Sequence, residues 1–559
     1  MTAPLRVGNA SGFYGDRATA WREMLDGGEL DVLTGDYLAE LTMLILGRDR
    51  LKDPATGYAK TFPRQLESVL GTAKERGVRL VANAGGLNPA GLAEAVRALA
   101  ARLGLDVAVA HVEGDDVTGR ATELGLGQPL TANAYLGAFG IAECLTAGAD
   151  VVVTGRVTDA SLVVGPGIAR FGWTRADLDA LAGATVAGHV LECGAQATGG
   201  NFAFFTELPD GARRPGFPLA ELHADGSAVI TKHPGTGGAV TVETVTAQLL
   251  YEIETPAYAG PDVVADFASV RLAQDGPDRV RITGARGAPP PPALKVGVNT
   301  LGGFRNAMTF VLCGLKIEEK AALVRAQLTD ALGPDGLDFT LARTDREDAP
   351  SQAAASALLT ATVKDPDPKR AGRRFSQAAV ELALASYPGL ALSTPPGDAT
   401  PYGVFTGHYV PQTAIEHIAV RPDGTRRPIP PPTTTRIPNI HVSGVTSVFV
   451  PQNTIRRPLG DLFGARSGDK GGDANIGVWA RSDEAYAWLR ANLTVGRLKE
   501  LLPETAQLAV ERYDLPNLKA VNFVVRGILG EGVAAGTRFD PQGKALGEWL
   551  RSRIVELPA

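Results

Sequence analysis

The sequence predicts an α/β fold: a large Rossmann-like, mainly parallel sheet with an inserted or following α+β region, then a small ferredoxin-like α+β domain. In the first 170 residues, short apolar strands alternate with amphipathic helices, which is typical of a parallel sheet covered on both faces. Loops rich in glycine or asparagine join each strand to the next helix. After about residue 459 the pattern changes to alternating strands and separate helices, which indicates a second unit.

The strand–loop–helix unit recurs along the first third of the chain. In the third unit, Asn88 stands before Pro89 and an amphipathic stretch, which predicts a helix with Asn88 as its N-cap. The strands are predicted at or near residues 5–9, 30–35, 78–83, 105–116 and 149–154.

Changes of pattern divide the chain into two predicted domains. The first covers residues 1–455, with a parallel α/β part at 1–260 and an α+β part at 261–420. Residues 421–455 are rich in proline and are predicted to be an extended linker. The second domain covers residues 460–559.

Composition narrows the class of protein. The chain has 559 residues, a formal charge of −6 and no basic footprint of the kind that nucleic acids require. It has no apolar run of about 18 residues, so we expect no membrane span. The three cysteines form an odd, sparse set without a CxxC pair, which predicts a reducing setting and no disulfide framework. The start of the sequence lacks the apolar core of a signal peptide, so we expect a cytoplasmic protein.

Polar residues in the strand-exit loops are the first candidates for a site, because ligands of open α/β sheets bind outside the carboxyl ends of the strands. Arg156 can grip a carboxylate or phosphate with two hydrogen bonds. Asp159 can serve as a base, a helix cap or a metal ligand. Asp16, Asn83 and Asn88 lie in similar loops, where binding a ligand and capping a tight turn are both open.

The segment HVLECGAQATGGN (189–201) adds two candidate catalytic residues. On a helix, His189, Glu192 and Cys193 share one face. Cys193 beside a histidine is then a candidate nucleophile, and Glu192 a candidate acid, base or metal ligand. A small buried cysteine with no chemical role is the simpler interpretation.

The segment TKHPGTGG (231–238) resembles an anion-binding loop without the order of a P-loop. His233 is the first candidate for a general base, because a histidine titrates near neutral pH. Lys232, Gly235 and Gly237 are candidates for binding a phosphate or carboxylate. A surface histidine without function is the alternative.

The segment RSGDKGGDAN (466–475) places Ser467, Asp469 and Lys470 in a polar turn of the second domain. Such a turn either is a charged hairpin or caps a site on the large domain, its own or that of a neighbouring chain.

Two cofactor classes are disfavoured by spacing. The glycines at 8, 12 and 15 do not match the dinucleotide fingerprint, which disfavours an oxidoreductase. The seven histidines have no zinc-type spacing, so no metal is assigned. Mg²⁺ held by carboxylates stays open, since such sites leave little sequence signature.

Taken in order, these motifs resemble the acyclic terpene utilisation family (AtuA-type proteins), with its C-terminal ferredoxin-fold domain. The matching stretches are GNASGFYGDR, DYLAELTM, NAGGLNP, TGRVTDASL, ECGAQATGGNF, ITKHPGTGG, TPAYAGPDVVADF and RSGDKGGDANIGVWAR. The resemblance implies a cytoplasmic catabolic protein acting in the acyl-CoA stage of branched terpenoid breakdown. It also implies cleavage of a branched 3-hydroxyglutaryl-CoA to an oxoacyl-CoA and acetate.

The expected function is therefore a lyase acting on a CoA thioester, with His233 or Asp159 as base and Arg156 as carboxylate anchor. An enoyl-CoA hydratase or dehydratase needs almost the same groups and remains open. So does a non-catalytic subunit that binds acyl-CoA or a partner enzyme. No resident cofactor is assigned. We expect a homo-oligomer that binds a small acyl-CoA substrate and neither nucleic acid nor membrane.

Overall fold

The computed structural model describes residues 3–439, 442 and 453–559. These residues form two compact units: unit 1 comprises residues 1–299, 405–530 and 542–559, and unit 2 comprises residues 300–404 and 531–541. Part of the predicted linker, with His441, lies outside the described residues.

The elements of the first half of the chain follow the predicted alternation. They are β1 (Leu5–Asn9), α1 (Ala20–Gly27), β2 (Val32–Gly35), α2 (Glu40–Lys52), α3 (Thr61–Glu67), α4 (Leu70–Glu75), β3 (Arg79–Ala82), α5 (Pro89–Arg102), β4 (Val109–Glu113), β5 (Thr131–Ala134), α6 (Phe139–Thr146), β6 (Val151–Thr154), α7 (Ser161–Phe171), α8 (Leu178–Leu191), β7 (Pro218–Leu222), β8 (Ala228–Lys232) and α9 (Val242–Leu249).

The second half has more strand than helix. Its elements are β9 (Ala257–Ala259), β10 (Val264–Asp266), β11 (Arg271–Gln274), β12 (Val280–Thr283), β13 (Arg286–Ala288), β14 (Ala293–Cys313), α10 (Ile317–Leu332), β15 (Leu337–Ala342), β16 (Ser356–Asp365), α11 (Phe375–Glu381), β17 (Ala391–Leu392), β18 (Thr400–Pro411), β19 (Ile418–Val420), β20 (Arg426–Pro428), β21 (Thr454–Pro458), β22 (Phe463–Lys470), β23 (Asp473–Ala480), α12 (Asp483–Asn492), α13 (Val495–Leu501), β24 (Val510–Leu515), β25 (Ala520–Val525), α14 (Leu546–Arg551) and β26 (Ile554–Pro558).

The large sheet of unit 1 has eleven strands in the order β11-β12-β8-β7-β1-β2-β3-β6-β4-β19-β20. Its centre, β1-β2-β3-β6-β4, is parallel. The strands added on both sides are antiparallel. The sheet is therefore mixed, and the prediction of a mainly parallel sheet describes only its centre.

The centre of the sheet and its outer edge differ in burial. The central strand β6 is an unbroken apolar run with every residue buried, as expected of a strand covered on both faces. At the outer edge β20 is fully exposed and pairs only with β19. Residues 426–428 thus form a strand inside the segment, residues 421–455, that was predicted to be an extended linker.

Helix α8 lies at the heart of unit 1. Its sequence, LDALAGATVAGHVL, is apolar on almost every face, and all but its first two residues are buried. A helix of this kind packs on all sides, so the residues at its end are fixed inside the protein.

In the C-terminal part of unit 1, an antiparallel sheet of order β22-β23-β25-β24 packs helices on one face. Ile476 and Val478 of β23 join the core that contains α12, α13 and α14. The next residue in the alternation, Trp479, points the other way, and its ring stacks on that of Phe202 with centroids 6.1 Å apart. The sheet therefore covers the α/β part of unit 1 with its second face.

Unit 2 is a smaller α+β body. Residues 304–313 of β14 pair with β16, and β16 pairs with β15. Helices α10 and α11 pack on these strands around a core that includes Phe310, Val324 and Phe375. Among the described residues of both units, no helix has the length and apolarity needed to cross a bilayer.

Candidate active site

Polar residues follow four neighbouring strands of the parallel centre and meet at one edge of the sheet. Asp36 follows β2 and Asn83 follows β3, and Asn83 Nδ2 donates a hydrogen bond to Asp36 Oδ1 over 2.6 Å. Arg156 follows β6 and Asp115 lies beyond β4, and the backbone N–H of Arg156 donates to Asp115 Oδ2 over 2.8 Å. The strand order β2-β3-β6-β4 therefore builds a continuous polar rim.

Arg156 is a fixed cation at the centre of this rim. The residue is 5% exposed, and Nη1 donates to Asp159 Oδ1 over 2.6 Å and to the carbonyl of Leu38 over 2.7 Å. The guanidinium lies over the Tyr135 ring at 4.2 Å. Burial opposes the charge, but Asp159 and Tyr135 raise the pKa of Arg156. Its buried Nε has no hydrogen-bond partner among the described residues, which leaves one donor for an anion.

Glu192 lies just beyond the end of α8, beside this cation. Its side chain is 8% exposed, and burial followed by the charge of Asp159 raises its pKa well above the usual range. Nδ1 of His189 lies 3.0 Å from Glu192 Oε1, while Oε2 has no partner among the described residues. The direction of this shift favours the protonated form of Glu192, which can donate a proton.

Asp36 is a second buried acid of the rim. Burial raises its pKa well above the usual range, and the charge of Asp159 adds to this effect. Asp159 itself is more open to solvent, with 28% of its side chain exposed. The cluster thus combines buried neutral acids with a carboxylate that solvent can reach.

The surroundings of Cys193 disfavour a thiolate. Burial, and then the charges of Glu192 and Glu252, raise the pKa of the thiol well above its ordinary value. A Cβ at Gly12 would lie 2.7 Å from the carbonyl carbon of Cys193, so the first glycine loop packs directly on this segment. The position favours a structural thiol over a nucleophile.

The hairpin β22–β23 brings two predicted residues into the cluster. Burial, followed by the charges of Glu252 and Glu40, raises the pKa of Asp469 to about 7. Lys470 lies close enough for its charge to oppose protonation of His189. A Cβ at Gly468 would lie 2.6 Å from Cγ of Glu252, so the hairpin depends on glycine for this approach. Residues 466–475 are mostly strand, with the turn at 471–472.

Two buried asparagines join the C-terminal sheet to the turn that carries Glu252. Asn475 Nδ2 donates to the carbonyl of Leu250 over 2.7 Å, and the N–H of Glu252 donates to Asn475 Oδ1 over 2.9 Å. Asn522 Nδ2 donates to the carbonyl of Glu254 over 3.0 Å. Glu252 has a φ of +54°, a left-handed conformation that these bonds hold in place.

Lys295 of β14 provides another cation at the rim. Its Nζ lies 3.5 Å from Glu40 Oε1 and 5.0 Å from the centre of the Tyr135 ring. Burial opposes the charge, but Tyr135 and Glu40 raise the pKa of Lys295. Tyr135 therefore lies beside both Lys295 and Arg156, which makes this side of the site attractive to an anion.

His233 makes its contacts with residues that do not belong to the cluster around Arg156. Its Nε2 lies 2.9 Å from the carbonyl oxygen of Met24, in hydrogen-bond contact. A Cβ at Gly27 or Gly28 would lie 2.6 Å from the ring, so the ring fills the space these glycines leave. Burial lowers the pKa of His233. These contacts suit a packed structural histidine.

Several other predicted residues use their polar atoms in local structure. The hydrogen bonds are from Gly12 N to Asp16 Oδ2 (2.9 Å), from Gly91 N to Asn88 Oδ1 (2.9 Å), from Lys232 Nζ to Thr236 O (2.7 Å) and from Gly547 N to Ser467 Oγ (2.9 Å). In the 233–238 loop, Gly235 has a φ of +75° and a Cβ at Gly237 would lie 2.4 Å from the carbonyl of Arg214. Both glycines thus have steric reasons for their presence.

The structure brings together about half of the predicted site and adds residues to it. The predicted residues in the cluster are Asn83, Arg156, Asp159, Glu192, Cys193, Asp469 and Lys470. The additions are Asp36, Glu40, Asp115, Tyr135, His189, Glu252 and Lys295. Asp36 ends the stretch LDVLTGD and could have been found by the same strand-exit rule.

The described part of the chain was compared with the ligand groups that hold metal ions. No group of three or more His, Cys, Asp or Glu side chains there is arranged to hold a metal ion. We route no step through a metal.

The fold and the site define a mixed α/β protein whose buried acid–base cluster is completed by a small antiparallel-sheet domain. The family model described as acyclic terpene utilisation family protein AtuA matches residues 5–420. The model of the AtuA ferredoxin-like domain matches residues 457–556. The chain therefore belongs to the acyclic terpene utilisation family. A comparison with curated proteins gave no match.

Proposed function

We propose that the protein is an acid–base enzyme that cleaves a branched 3-hydroxyglutaryl-CoA-type substrate into acetate and an oxoacyl-CoA. One observation carries the proposal: a neutral acid, Glu192, a carboxylate, Asp159, and a fixed cation, Arg156, belong to one cluster. Carbon–carbon cleavage of a 3-hydroxy acid requires these three kinds of group. Family membership supports a relation to terpene utilisation.

In the proposed step Arg156 binds the free carboxylate of the substrate, and Lys295 adds positive charge on the same side. Asp159 accepts the proton of the tertiary hydroxyl, and that oxygen becomes a carbonyl. The bond between C3 and the carbon next to the free carboxylate breaks, and its electron pair stays on that carbon. Glu192 donates its proton there, giving acetate, while the carbonyl product leaves as the oxoacyl-CoA.

The positive charge of Arg156 stabilises the departing fragment in this step. The departing fragment carries a carboxylate and a carbanion, so it develops two negative charges before it is protonated. A buried guanidinium stabilises that charge far more than water would, because the surrounding dielectric is low. Glu192 then removes the second charge by giving up its proton.

The same acid and base suit the addition or loss of water in an enoyl-CoA, which we keep as the alternative reaction. A third possibility is a subunit that binds acyl-CoA without turnover. In both reactions we expect a cytoplasmic protein, a small acyl-CoA substrate and assembly into homo-oligomers.

The test is to incubate the protein with 3-hydroxy-3-methylglutaryl-CoA and related branched analogues in D₂O and follow products by NMR. Acetate carrying one deuterium in its methyl group supports the lyase. An unsaturated CoA product without acetate supports the hydratase, and binding without turnover supports the non-catalytic subunit. Glu94→Gln is the matched control for Glu192→Gln in this assay, since Glu94 is an exposed glutamate of α5.

A further inference from the structure

His189 is an unusual buried histidine. Its ring packs against both Tyr258 and Phe267, with ring centroids at 5.0 and 5.3 Å, and the residue is 0% exposed. Among the described residues neither ring nitrogen has a hydrogen-bond partner. Leaving two buried polar atoms unpaired costs stability, so such a group calls for a functional explanation.

The position of the ring indicates what that function is. His189 and Glu192 are one helical turn apart at the end of α8, and Nδ1 lies 3.0 Å from Glu192 Oε1. The two groups are in contact but not aligned as a hydrogen bond in this structure. A small rotation of either side chain, of the kind that substrate binding brings about, would align them.

The electrostatic surroundings keep the ring neutral. Burial, and then the charge of Lys470 on β22, lower the pKa of His189 to about 4. Glu252 after α9 and Asp159 before α7 act in the opposite direction but do not offset burial. At neutral pH the ring therefore has one N–H donor and one free acceptor.

We propose that His189 is a positioning residue for Glu192, donating its Nδ1–H to the carboxylate that forms when Glu192 gives its proton to the leaving carbon. This rests on the proposed function, in which Glu192 is the acid. The proton that Asp159 takes from the substrate hydroxyl balances the one that Glu192 loses, and solvent exchange returns it to Glu192 after the products leave. Without the donor, a bare carboxylate would form in a buried site near Asp159 and Glu252.

Three substitutions separate the roles of the two ring nitrogens. His189→Asn keeps an N–H near the position of Nδ1, His189→Gln keeps one near Nε2, and His189→Phe keeps the aromatic packing without either. We expect His189→Asn to stay within about 10-fold of wild-type kcat, and the other two to lose about 100-fold with little change in KM. His223→Asn, at a histidine outside the cluster, is the matched control.

The pH profile provides a readout that a packing role would not move. Removing a donor to the charged form raises the pKa of an acid. The basic limb of the kcat profile, set by Glu192, should therefore move to higher pH in His189→Phe and stay in place in His189→Asn. An unchanged limb in His189→Phe, or a His189→Gln variant more active than His189→Asn, would overturn the proposal.

A measurement without turnover separates this proposal from the proposed function. In ¹⁵N-histidine NMR of the intact protein, the signals absent from the His189→Phe spectrum belong to His189. We expect a neutral ring at pH 6 with its proton on Nδ1. A charged ring, or a proton on Nε2, would contradict the positioning role even if acetate is produced. The expected tautomer in a protein that produces no acetate would support Nδ1–H of His189 as the donor toward Glu192 and overturn only the lyase reaction.

Discussion

At the scale of single residues, the site depends on how burial and neighbouring charges divide protons among the carboxyl groups. Glu192 and Asp36 are buried beside Asp159, and their pKa values are raised, whereas Asp159 is partly open to solvent and bonded to Arg156. A like charge nearby disfavours ionisation of a buried acid, and an adjacent cation favours it. Carboxyl groups in different positions of one cluster are thus suited to the different roles, acid and base, that we propose for them.

Arg156→Lys tests whether the guanidinium acts through its shape as well as its charge. A lysine keeps the charge but cannot donate to Asp159, to Leu38 and to a substrate carboxylate at once. We expect KM for the branched 3-hydroxyglutaryl-CoA substrate to rise about 10-fold or more. Steady-state kinetics measure this, with Arg97→Lys on the surface of α5 as control; a wild-type KM would remove Arg156 from the anchor.

Asp115 predicts a pH dependence of stability. Burial raises its pKa to about 7, so the folded protein holds this proton more tightly than the unfolded chain does. Its contribution is fully present below the unfolded pKa of about 4 and is lost as pH rises toward 7. Urea unfolding at pH 5 and pH 8 should therefore show a smaller loss of stability in Asp115→Asn than in the wild type. An equal loss in both would contradict the assignment.

At the scale of elements, structure could be predicted from the sequence most accurately where a single local rule determines it. Asn88 caps α5 with Pro89 at its first position, as expected from local chemistry. The strand-exit rule pointed to Asn83, Arg156 and Asp159, which the fold places at one edge of the sheet. It could not reveal Glu252, whose place depends on hydrogen bonds from the C-terminal sheet more than 200 residues away in sequence.

The mixed sheet and the hairpin were harder to predict for physical reasons. An apolar run such as AVITK of β8 has the same local pattern whether its neighbour is parallel or antiparallel, so only the tertiary partner decides. Glycines and charges made residues 466–475 look like a loop, yet β22 runs to Lys470 because Gly468 allows it to pack on Glu252.

Gly468→Ala tests this close approach of the hairpin. The added Cβ would lie 2.6 Å from Glu252 Cγ and 2.8 Å from the Tyr251 ring, so the hairpin or the turn must shift. We expect kcat to fall at least 10-fold while the C-terminal sheet stays folded by circular dichroism. Gly496→Ala is the control, because its Cβ would meet nothing closer than 3.7 Å. Equal activity of the two variants would show that the hairpin does not position the site.

At the scale of the whole molecule, residues from both family-matched segments of the chain form one centre. Arg156, Asp159 and Glu192 lie in the first segment, and Asp469 and Lys470 lie in the second. Family resemblance indicated the two segments, and packing within unit 1 brings residues of both together. Unit 2 contributes none of the cluster residues described above.

Lys470→Met tests the contribution of the C-terminal segment. Lys470 opposes protonation of His189 and favours the charged form of Glu192. Its removal should raise the pKa of His189 above about 4 and lower kcat about 10-fold or more, with Lys499→Met on α13 as control. ¹⁵N-histidine NMR and steady-state kinetics measure the two effects. An unchanged His189 titration would mean that the hairpin charge does not act on the site.

The most direct test of the acid–base centre is NMR detection of acetate from a branched 3-hydroxyglutaryl-CoA in D₂O, compared between wild type and Glu192→Gln. Gln keeps the size of the side chain and removes its acidic proton. We expect the wild type to release acetate with one deuterium per methyl group, and Glu192→Gln to release it 100- to 10,000-fold more slowly with little change in KM. Acetate release at the wild-type rate from Glu192→Gln, or none from the wild type across the branched analogues, would contradict the proposed lyase.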